Sequence, residues 1–292
     1  MHIRGTTRLL GVMGWPVTHS MSPPMHNAAL AAAGLDMVYV ALPVPPERLA
    51  DALRALSALG FRGVNVTIPH KEAVLPHLAR LGPSVEGIGA VNTIVVEADG
   101  SLTGHNTDAG GFVQSVREQG GADPAGCTYF QAGAGGAGRA MAVAMARAGA
   151  RRIIIGNRTL DKAETLAQLV REAASHLSGP PPEVLACGLD DAAAALAREA
   201  DIVANATALG MKPGEASALP AAAFRAGQLA YDTIYVSEAT PFIQAARQGG
   251  ARACNGLGML ACQGALAFEL WTGNRPDSAL MLETLRQLVN PT

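Results

Sequence analysis

Four clusters in the first third of the chain gather hydroxyl, amide, lysine and carboxylate side chains in short turns: His19-Ser20-Met21-Ser22-Pro23, Asn65-Val66-Thr67-Ile68-Pro69-His70-Lys71, Gly89-Ala90-Val91-Asn92-Thr93 and Gly104-His105-Asn106-Thr107-Asp108. A lysine and a carboxylate can pass a proton to or from a ligand oxygen, and serine, threonine and amide groups can hydrogen-bond polar ligand atoms. Turns between strands and helices are also where open α/β sheets bind ligands. Each residue has a plain structural use as well. Ser22 reads as a helix N-cap, Asn65 and Thr67 as partners for turn backbone, Lys71 as an exposed charge in a first helical turn, and Asp108 as another N-cap. It is their gathering that points to chemistry.

A second constellation lies further along, at Gln131-Ala132-Gly133-Ala134-Gly135-Gly136-Ala137-Gly138-Arg139-Ala140. Tyr129-Phe130 supply strand-forming residues before it, Met141 to Ala150 an Ala-rich helix after it, and Arg152 to Gly156 the next strand, which together make a βαβ unit. In such a unit Gly133 allows the tight turn, Gly135 lets backbone approach a pyrophosphate, and Gly138 lets the helix lie close to the sheet, with Ala134, Gly136 and Ala137 completing the cradle. After the second strand stands Asn157-Arg158-Thr159, where an NAD site usually has an acidic residue for the ribose 2′-hydroxyl. Arg158 can pair with a 2′-phosphate while Asn157 and Thr159 add polar contacts, so the expected cofactor is NADP. Thr159 also serves to cap the helix that begins near Leu160. Gln131 stands where an apolar strand residue is usual, so either the strand ends early or Gln131 hydrogen-bonds within the loop.

The elements that must position these groups alternate regularly. Strands are expected near 9–14, 38–42 and 63–67, with helices from Ser22 (N-cap, Pro23 first) to Gly34, from Pro46 to Leu59, and from Pro69 onward. Residues 91–96 and 102–103 around Asp99-Gly100 read as a hairpin at the sheet edge. The chain then crosses through 106–111 into a nucleotide domain whose sheet continues near 202–204 and 229–231, with Gly179 to Pro182 as an internal loop. Helices near 258–271 and 276–289 follow and pack back on the first domain. The expectation is a two-domain α/β chain: an N-terminal open α/β substrate domain (1–108), a Rossmann-type NADP-binding domain (109–255), and returning C-terminal helices (256–292).

The 292 residues are 49% hydrophobic and 16% charged, with a net charge of −2 and no basic run. That balance argues for large buried cores and against nucleic acid or an anionic membrane as the main partner. No apolar stretch approaches the roughly 18 residues of a membrane span. Leu9 to Gly14 is too short for a secretory core and reads as a strand. Cys127, Cys187, Cys254 and Cys262 form no C-x-x-C pair, and His19, His26, His70 and His105 fit no ligand spacing, so no metal is expected and the compartment is the reducing cytoplasm.

Taken in order, the motifs identify the chain as resembling the shikimate dehydrogenase family. It carries Gly-x-Pro-x-x-His-Ser-x-Ser-Pro from Gly14, Asn-Val-Thr-x-Pro-x-Lys from Asn65, Gly-Ala-Val-Asn-Thr from Gly89 and Gly-x-Asn-Thr-Asp from Gly104. After the Gly-rich loop come Asn-Arg-Thr at Asn157, Asn-Ala-Thr at Asn205, Tyr-Asp-x-x-Tyr from Tyr231 and Gly-Leu-Gly-Met-Leu-x-x-Gln-Gly from Gly256. The resemblance implies NADP-dependent oxidation of the C3 hydroxyl of shikimate and, in biosynthesis, reduction of 3-dehydroshikimate. It implies Lys71 and Asp108 as the catalytic pair. It places Ser20, Ser22 and Tyr235 on the substrate carboxylate, and Thr67, Asn92, Asp108 and Gln263 on the ring hydroxyls. Because Tyr235 and Gln263 lie far from Ser20 in sequence, the substrate is expected to complete a cleft between domains, with closure on binding. Thr233 and Gly256 are implied near the nicotinamide half of NADP, with Thr207 and Met211 at a strand end along its path.

The residue types suit the reaction. Hydride can leave C3 only as the hydroxyl proton is removed, so a base must reach that oxygen. A lysine, with an ordinary pKa of about 10.4, needs desolvation to act as that base, whereas a neighbouring carboxylate favours its ammonium form; a coupled pair is therefore expected. The rival readings are a quinate/shikimate or aminoshikimate-type paralogue, and a non-catalytic sensor of the same ligands. Ser22 with Arg158 favours shikimate and NADP, and the presence of both Lys71 and Asp108 argues against a sensor. The expected state is monomer or homodimer.

Overall fold

The computed structural model describes residues 2–177, 179–212, 214–235, 237 and 239–290. The chain divides into two units, Met1–Gly111 with Leu260–Thr292, and Phe112–Met259.

In the first unit β1 (Arg8–Gly14), α1 (Ser22–Ala32), β2 (Met37–Pro43), α2 (Leu49–Ala58) and β3 (Phe61–Val66) follow one another, then the short β4 (Arg80–Leu81), β5 (Thr93–Val96) and β6 (Leu102–His105). The sheet order is β2-β1-β3-β5-β6-β4. The first three strands are parallel, and β5 runs antiparallel to β3 and β6. Gly34 (φ 65°) and Gly60 (φ 75°) end the first two helices in left-handed backbone that favours glycine. On α2, Leu49, Leu53 and Leu56 recur at helical spacing and bury against Val64, Val66, Ile94 and Val96 of the sheet.

Two departures from the sequence pattern occur here. The helix expected from Pro69 does not form; residues 70–78 make tight turns ending in a short 3-10 segment, Leu75–His77. Pro76 has no N–H to donate back to Glu72 and disfavours helical geometry at Leu75. The hairpin is not the edge of the sheet either, since Arg80 and Leu81 pair with Thr103 and Gly104 outside it.

The helices α8 (Leu257–Thr272) and α9 (Ser278–Val289) end the chain. Within the first unit, Trp271 on α8 is buried and its Nε1 donates to Ile94 O at 3.0 Å. A Cβ on Gly63 would stand 2.2 Å from that Nε1, so the sheet can receive the indole only with glycine there. Met281, Leu282 and Leu285 form the buried face of α9, which packs beside α1.

The second unit begins within α3 (Asp108–Glu118) and continues β7 (Thr128–Ala132), α4 (Gly136–Arg147), β8 (Arg152–Gly156), α5 (Leu160–Ala174), β9 (Glu183–Cys187), α6 (Asp191–Glu199), β10 (Ile202–Asn205), β11 (Leu229–Asp232), α7 (Pro241–Gln248) and β12 (Arg252–Cys254). The order β12-β11-β10-β7-β8-β9 is parallel throughout. This is the doubly wound arrangement, and its order reverses between β7 and β10, which is where such sheets open to ligands. Phe130, Ile154, Val203, Phe224, Ala230 and Phe242 lie in its core.

Candidate active site

Register explains why the polar clusters of the first unit converge. Asn65 on β3 lies opposite Thr93 on β5, which lies opposite His105 on β6. The segments after β3, before β5 and after β6 therefore leave the sheet at one edge. The segment after β1 joins them: Thr67 N donates to Met13 O at 2.9 Å and Trp15 N to Ile68 O at 3.0 Å. Gly14 is required at that crossing, because a Cβ there would stand 2.4 Å from Thr67 Cγ2.

Lys71 and Asp108 meet at this edge, Lys71 Nζ donating to Asp108 Oδ2 at 2.6 Å with side chains 22% and 10% exposed. The lysine loop is anchored on both sides. His70 Nε2 lies 2.7 Å from Val44 O, and Val91 N donates to Lys71 O at 2.8 Å. Asp108 opens α3 without capping it; Asn106 Oδ1 takes the Ala109 N–H at 3.2 Å instead, which leaves the Asp108 carboxylate free for side-chain partners.

Asn92 is the hub beside this pair. Its Nδ2 donates to Asp108 Oδ1 at 2.8 Å and to Thr107 Oγ1 at 3.0 Å, and lies 3.4 Å from Gln263 Oε1. Two amide hydrogens serve the two shorter contacts. Asn92 Oδ1 accepts from Thr107 N at 2.7 Å. Gln263, 171 residues away in the chain, is held by its own Nε2 to Leu260 O at 2.9 Å. It reaches the site because Gly111 has no side chain: a Cβ there would lie 2.6 Å from Gln263 N.

Ser20 and Ser22 stand at the start of α1. Ser22 is the first helical residue and Met21 the cap, one position earlier than the sequence pattern indicates, with no side-chain capping bond. Ser20 Oγ accepts from Ser22 N at 3.3 Å, which ties this turn and releases the Ser22 hydroxyl. Tyr39, a residue that sequence reasoning leaves in a strand, lies buried in the same unit, and burial raises its phenol above the usual range. Tyr39 in turn donates to Asn65 Oδ1 at 2.7 Å, and Asn65 Nδ2 donates to Asn92 O at 3.1 Å and Thr93 Oγ1 at 3.0 Å. The signal available in sequence is Asn65 itself, already inside a polar cluster. Ser20, Ser22, Thr67, Asn92, Asp108 and Gln263 thus all belong to the first unit.

In the second unit the Gly-rich turn follows β7 at the reversal of strand order. Gly133 has φ 110°, and a Cβ on it would lie 2.8 Å from the Ala206 carbonyl. A Cβ on Gly138 would stand 2.6 Å from Gly133 O, whereas Gly135 and Gly136 face open space. Gly135 caps α4 without a side chain, so no side chain takes the first N–H groups of that helix, from Gly136 and Ala137, an arrangement that suits an anion. Gln131 resolves the alternative set by the sequence: β7 does not end early, and the buried amide donates to Gly133 O at 2.7 Å and Gly138 O at 3.1 Å. Asn157 Oδ1 accepts from Ala134 N at 3.3 Å, so it supports the turn directly. Arg158 and Thr159 are exposed beside it, and Thr159 occupies the N-cap of α5 without a side-chain bond. These donors and open glycines fit a dinucleotide carrying a 2′-phosphate.

Thr207 follows β10, its hydroxyl donating to Asn205 Oδ1 at 2.7 Å, and Met211 is exposed beyond it. Gly256 packs on Thr233, where a Cβ would lie 2.2 Å from the Thr233 carbonyl oxygen. Tyr235 is partly buried, and desolvation raises its phenol above the usual range, which keeps it a hydrogen-bond donor. Asp232, fully buried, accepts from Asn205, Thr240 and Ile234 N; burial nonetheless raises its carboxyl above the ordinary value. Among the described residues no group of three His, Cys, Asp or Glu side chains could hold a metal ion, and no helix is long and apolar enough to cross a membrane.

Comparison with known proteins adds the following. A family model described as the shikimate dehydrogenase substrate binding domain matches residues 12–94, and one described as the shikimate 5′-dehydrogenase C-terminal domain matches residues 256–286. The chain is 46% identical over 288 residues to shikimate dehydrogenase (NADP(+)) of Moorella thermoacetica, covering 98% of this chain and 95% of that one. A crystal structure of a shikimate dehydrogenase in complex with NADP+ superposes with a TM-score of 0.90 at 38% identity, covering 99% and 98% of the two chains. The shikimate 5-dehydrogenase of Thermus thermophilus, solved in complex with NADP(H) and shikimate, superposes with a TM-score of 0.85 at 39% identity, covering 96% and 99%.

Proposed function

The chain belongs to the shikimate dehydrogenase family, and from that premise we propose that it catalyses the reversible NADP-dependent reduction of 3-dehydroshikimate to shikimate on the way to the aromatic amino acids. The single observation that carries the mechanism is the 2.6 Å contact between Lys71 and Asp108, bordered by Asn92, Thr107 and Gln263.

NADP, when bound, supplies the site that accepts or gives the hydride. The side chains do the rest. In the oxidising direction the C3 hydroxyl proton passes to the Lys71–Asp108 pair; in reduction the same pair returns it to the forming alkoxide. Asp108 also holds Lys71 in place and accepts from a ring hydroxyl. Its second oxygen is already taken by Asn92, which keeps the carboxylate from rotating. Thr67, Asn92 and Gln263 bind the remaining hydroxyls, because amides and hydroxyls can each both donate and accept. Ser20, Ser22 and Tyr235 donate to the substrate carboxylate.

Residues 1–108 with 256–292, apart from Gly256, serve the substrate, and 109–255, apart from Tyr235, serve the cofactor. Gly133, Ala134, Gly135, Gly136 and Ala137 hold the pyrophosphate, and Asn157, Arg158 and Thr159 the 2′-phosphate. Thr207, Met211, Thr233 and Gly256 line the path toward the nicotinamide. The protein works in the cytoplasm as a monomer or homodimer. The direct test uses shikimate deuterated at C3. Deuterium recovered in the reduced cofactor, with 3-dehydroshikimate as product, supports the reading; deuterium retained in the product refutes it.

A further inference from the structure

Asn106, Thr107 and Asp108 stand in a row at the start of α3, and all three are residue types that cap helices well. The fold gives that task to one of them. Ala109 N donates to Asn106 Oδ1 at 3.2 Å. Thr107 Oγ1 instead lies 3.0 Å from Asn92 Nδ2, and the Asp108 carboxylate takes Lys71 Nζ at 2.6 Å and Asn92 Nδ2 at 2.8 Å. Helix and site thus draw on three adjacent side chains and divide them one to two.

Asn106 is fixed in its duty. It is buried, its Nδ2 donates to Ala90 O at 2.9 Å, and its own N–H donates to Ser84 Oγ at 3.0 Å. A carbonyl only accepts and a backbone N–H only donates, so the amide must turn Nδ2 toward Ala90 and Oδ1 toward Ala109. Ala90 stands two residues before Asn92, and Asn92 Oδ1 accepts from Thr107 N at 2.7 Å. The segment that carries Asn92 and the one that carries Asp108 are therefore tied together through both asparagines. Ala109 is buried, and a buried N–H in the first turn of a helix needs an acceptor. Without the Asn106 oxygen, the side chains next in line to cap α3 are Thr107 and Asp108, and each can do so only by giving up Asn92 or Lys71.

We propose that Asn106 is a positioning residue for the reaction: by supplying the capping oxygen of α3 it keeps the Asp108 carboxylate on Lys71 and the Thr107 hydroxyl on Asn92. The proposal rests on the reading of Lys71 and Asp108 as the acid–base pair. It makes the chemical step, and not cofactor binding, the property that Asn106 controls.

The test is Asn106→Ala, which removes the capping oxygen. The kcat for shikimate oxidation should fall about tenfold to a hundredfold, the range for a catalytic group displaced by about 1 Å, while the KM for NADP stays within about twofold. Asn106→Ser keeps a capping oxygen and loses only the bond to Ala90, so its kcat should recover to within about threefold of wild type. Ser84→Ala releases Asn106 from its backbone side without touching the cap; it should lower the melting temperature and leave kcat unchanged. An unchanged kcat in Asn106→Ala, an equally low kcat in Asn106→Ser or Ser84→Ala, or a KM for NADP that rises in step with the loss of kcat would each overturn the proposal. If Asn106→Ala fails to fold, Asn106→Ser is compared with Asn106→Cys, close to it in size but with a sulfur that accepts weakly; kcat should be about fivefold or more lower in the cysteine variant, and equal values overturn the proposal. Wild-type protein that fails to oxidise shikimate with NADP would refute the proposed function, whereas wild-type turnover with an unaffected Asn106→Ala variant refutes the role of Asn106 alone.

Discussion

Replacing Lys71 by alanine should separate chemistry from folding. The side chain is 22% exposed and its Nζ has one carboxylate partner, Asp108, which keeps its bond from Asn92 after the substitution. A half-buried pair that loses one member while the other stays hydrogen-bonded costs about 1–2 kcal/mol, between the values for exposed and fully buried pairs. For a protein of this size that is a fall in Tm of no more than about 6 °C. The effect on rate is larger, since losing a positioned acid–base group lowers kcat by roughly a hundredfold to ten-thousandfold, about 3–5 kcal/mol in the barrier. Initial rates followed at the NADPH absorbance, with NADPH titration and thermal melts on the same preparations, measure all three quantities. A drop in kcat below tenfold would refute the catalytic assignment. So would a loss that tracks NADPH affinity or melting instead of the chemical step.

Three further outcomes follow from other parts of the molecule. Arg158→Ala should raise the KM for NADP about tenfold to a hundredfold, the value of a charge-assisted pair, and leave NAD nearly unaffected; equal effects on both would contradict the 2′-phosphate assignment. Gln131→Leu removes the donor to Gly133 O and Gly138 O, so it should cost about 1–3 kcal/mol and weaken NADP binding, read by chemical denaturation and cofactor titration; unaltered values would show the amide to be dispensable. Burial lowers the pKa of His26 from 6.5 to about 3. The folded state therefore excludes a proton that the unfolded chain binds below pH 6.5, and stability falls as pH drops from there toward 3. His26→Phe should flatten that acid limb in urea unfolding between about pH 6 and 4, and parallel curves for the two proteins would exclude the histidine as its cause.

Much of the framework is legible where a signal is local. Helical stops at Gly34 and Gly60, the alternation around β1 to β3 and the unit from β7 to β8 each depend on residues a few positions apart. Sequence misleads where distant or competing constraints decide. Pro69 looks like a helix start until Pro76 is weighed, and the two-residue β4 exists only because β6 is there to pair with it. Ser22 carries a good capping side chain, yet the turn closed by Ser20 starts α1 one residue sooner and leaves that side chain without a capping bond. Asn106, and not Asp108, supplies the capping oxygen of α3, a distinction that neighbouring Asn and Asp residues cannot make by type alone. Tyr39 itself is invisible as a site residue in the sequence. A tyrosine in an alternating apolar run reads as core, and only the placement of Asn65 two strands away gives its hydroxyl a direction.

The central claim is tested most directly by initial rates of purified protein with shikimate and quinate crossed against NADP and NAD at saturating concentrations. Strong turnover with shikimate and NADP, and little in the other three pairings, is the predicted result; preference for quinate or for NAD, or no turnover in any pairing, would contradict it.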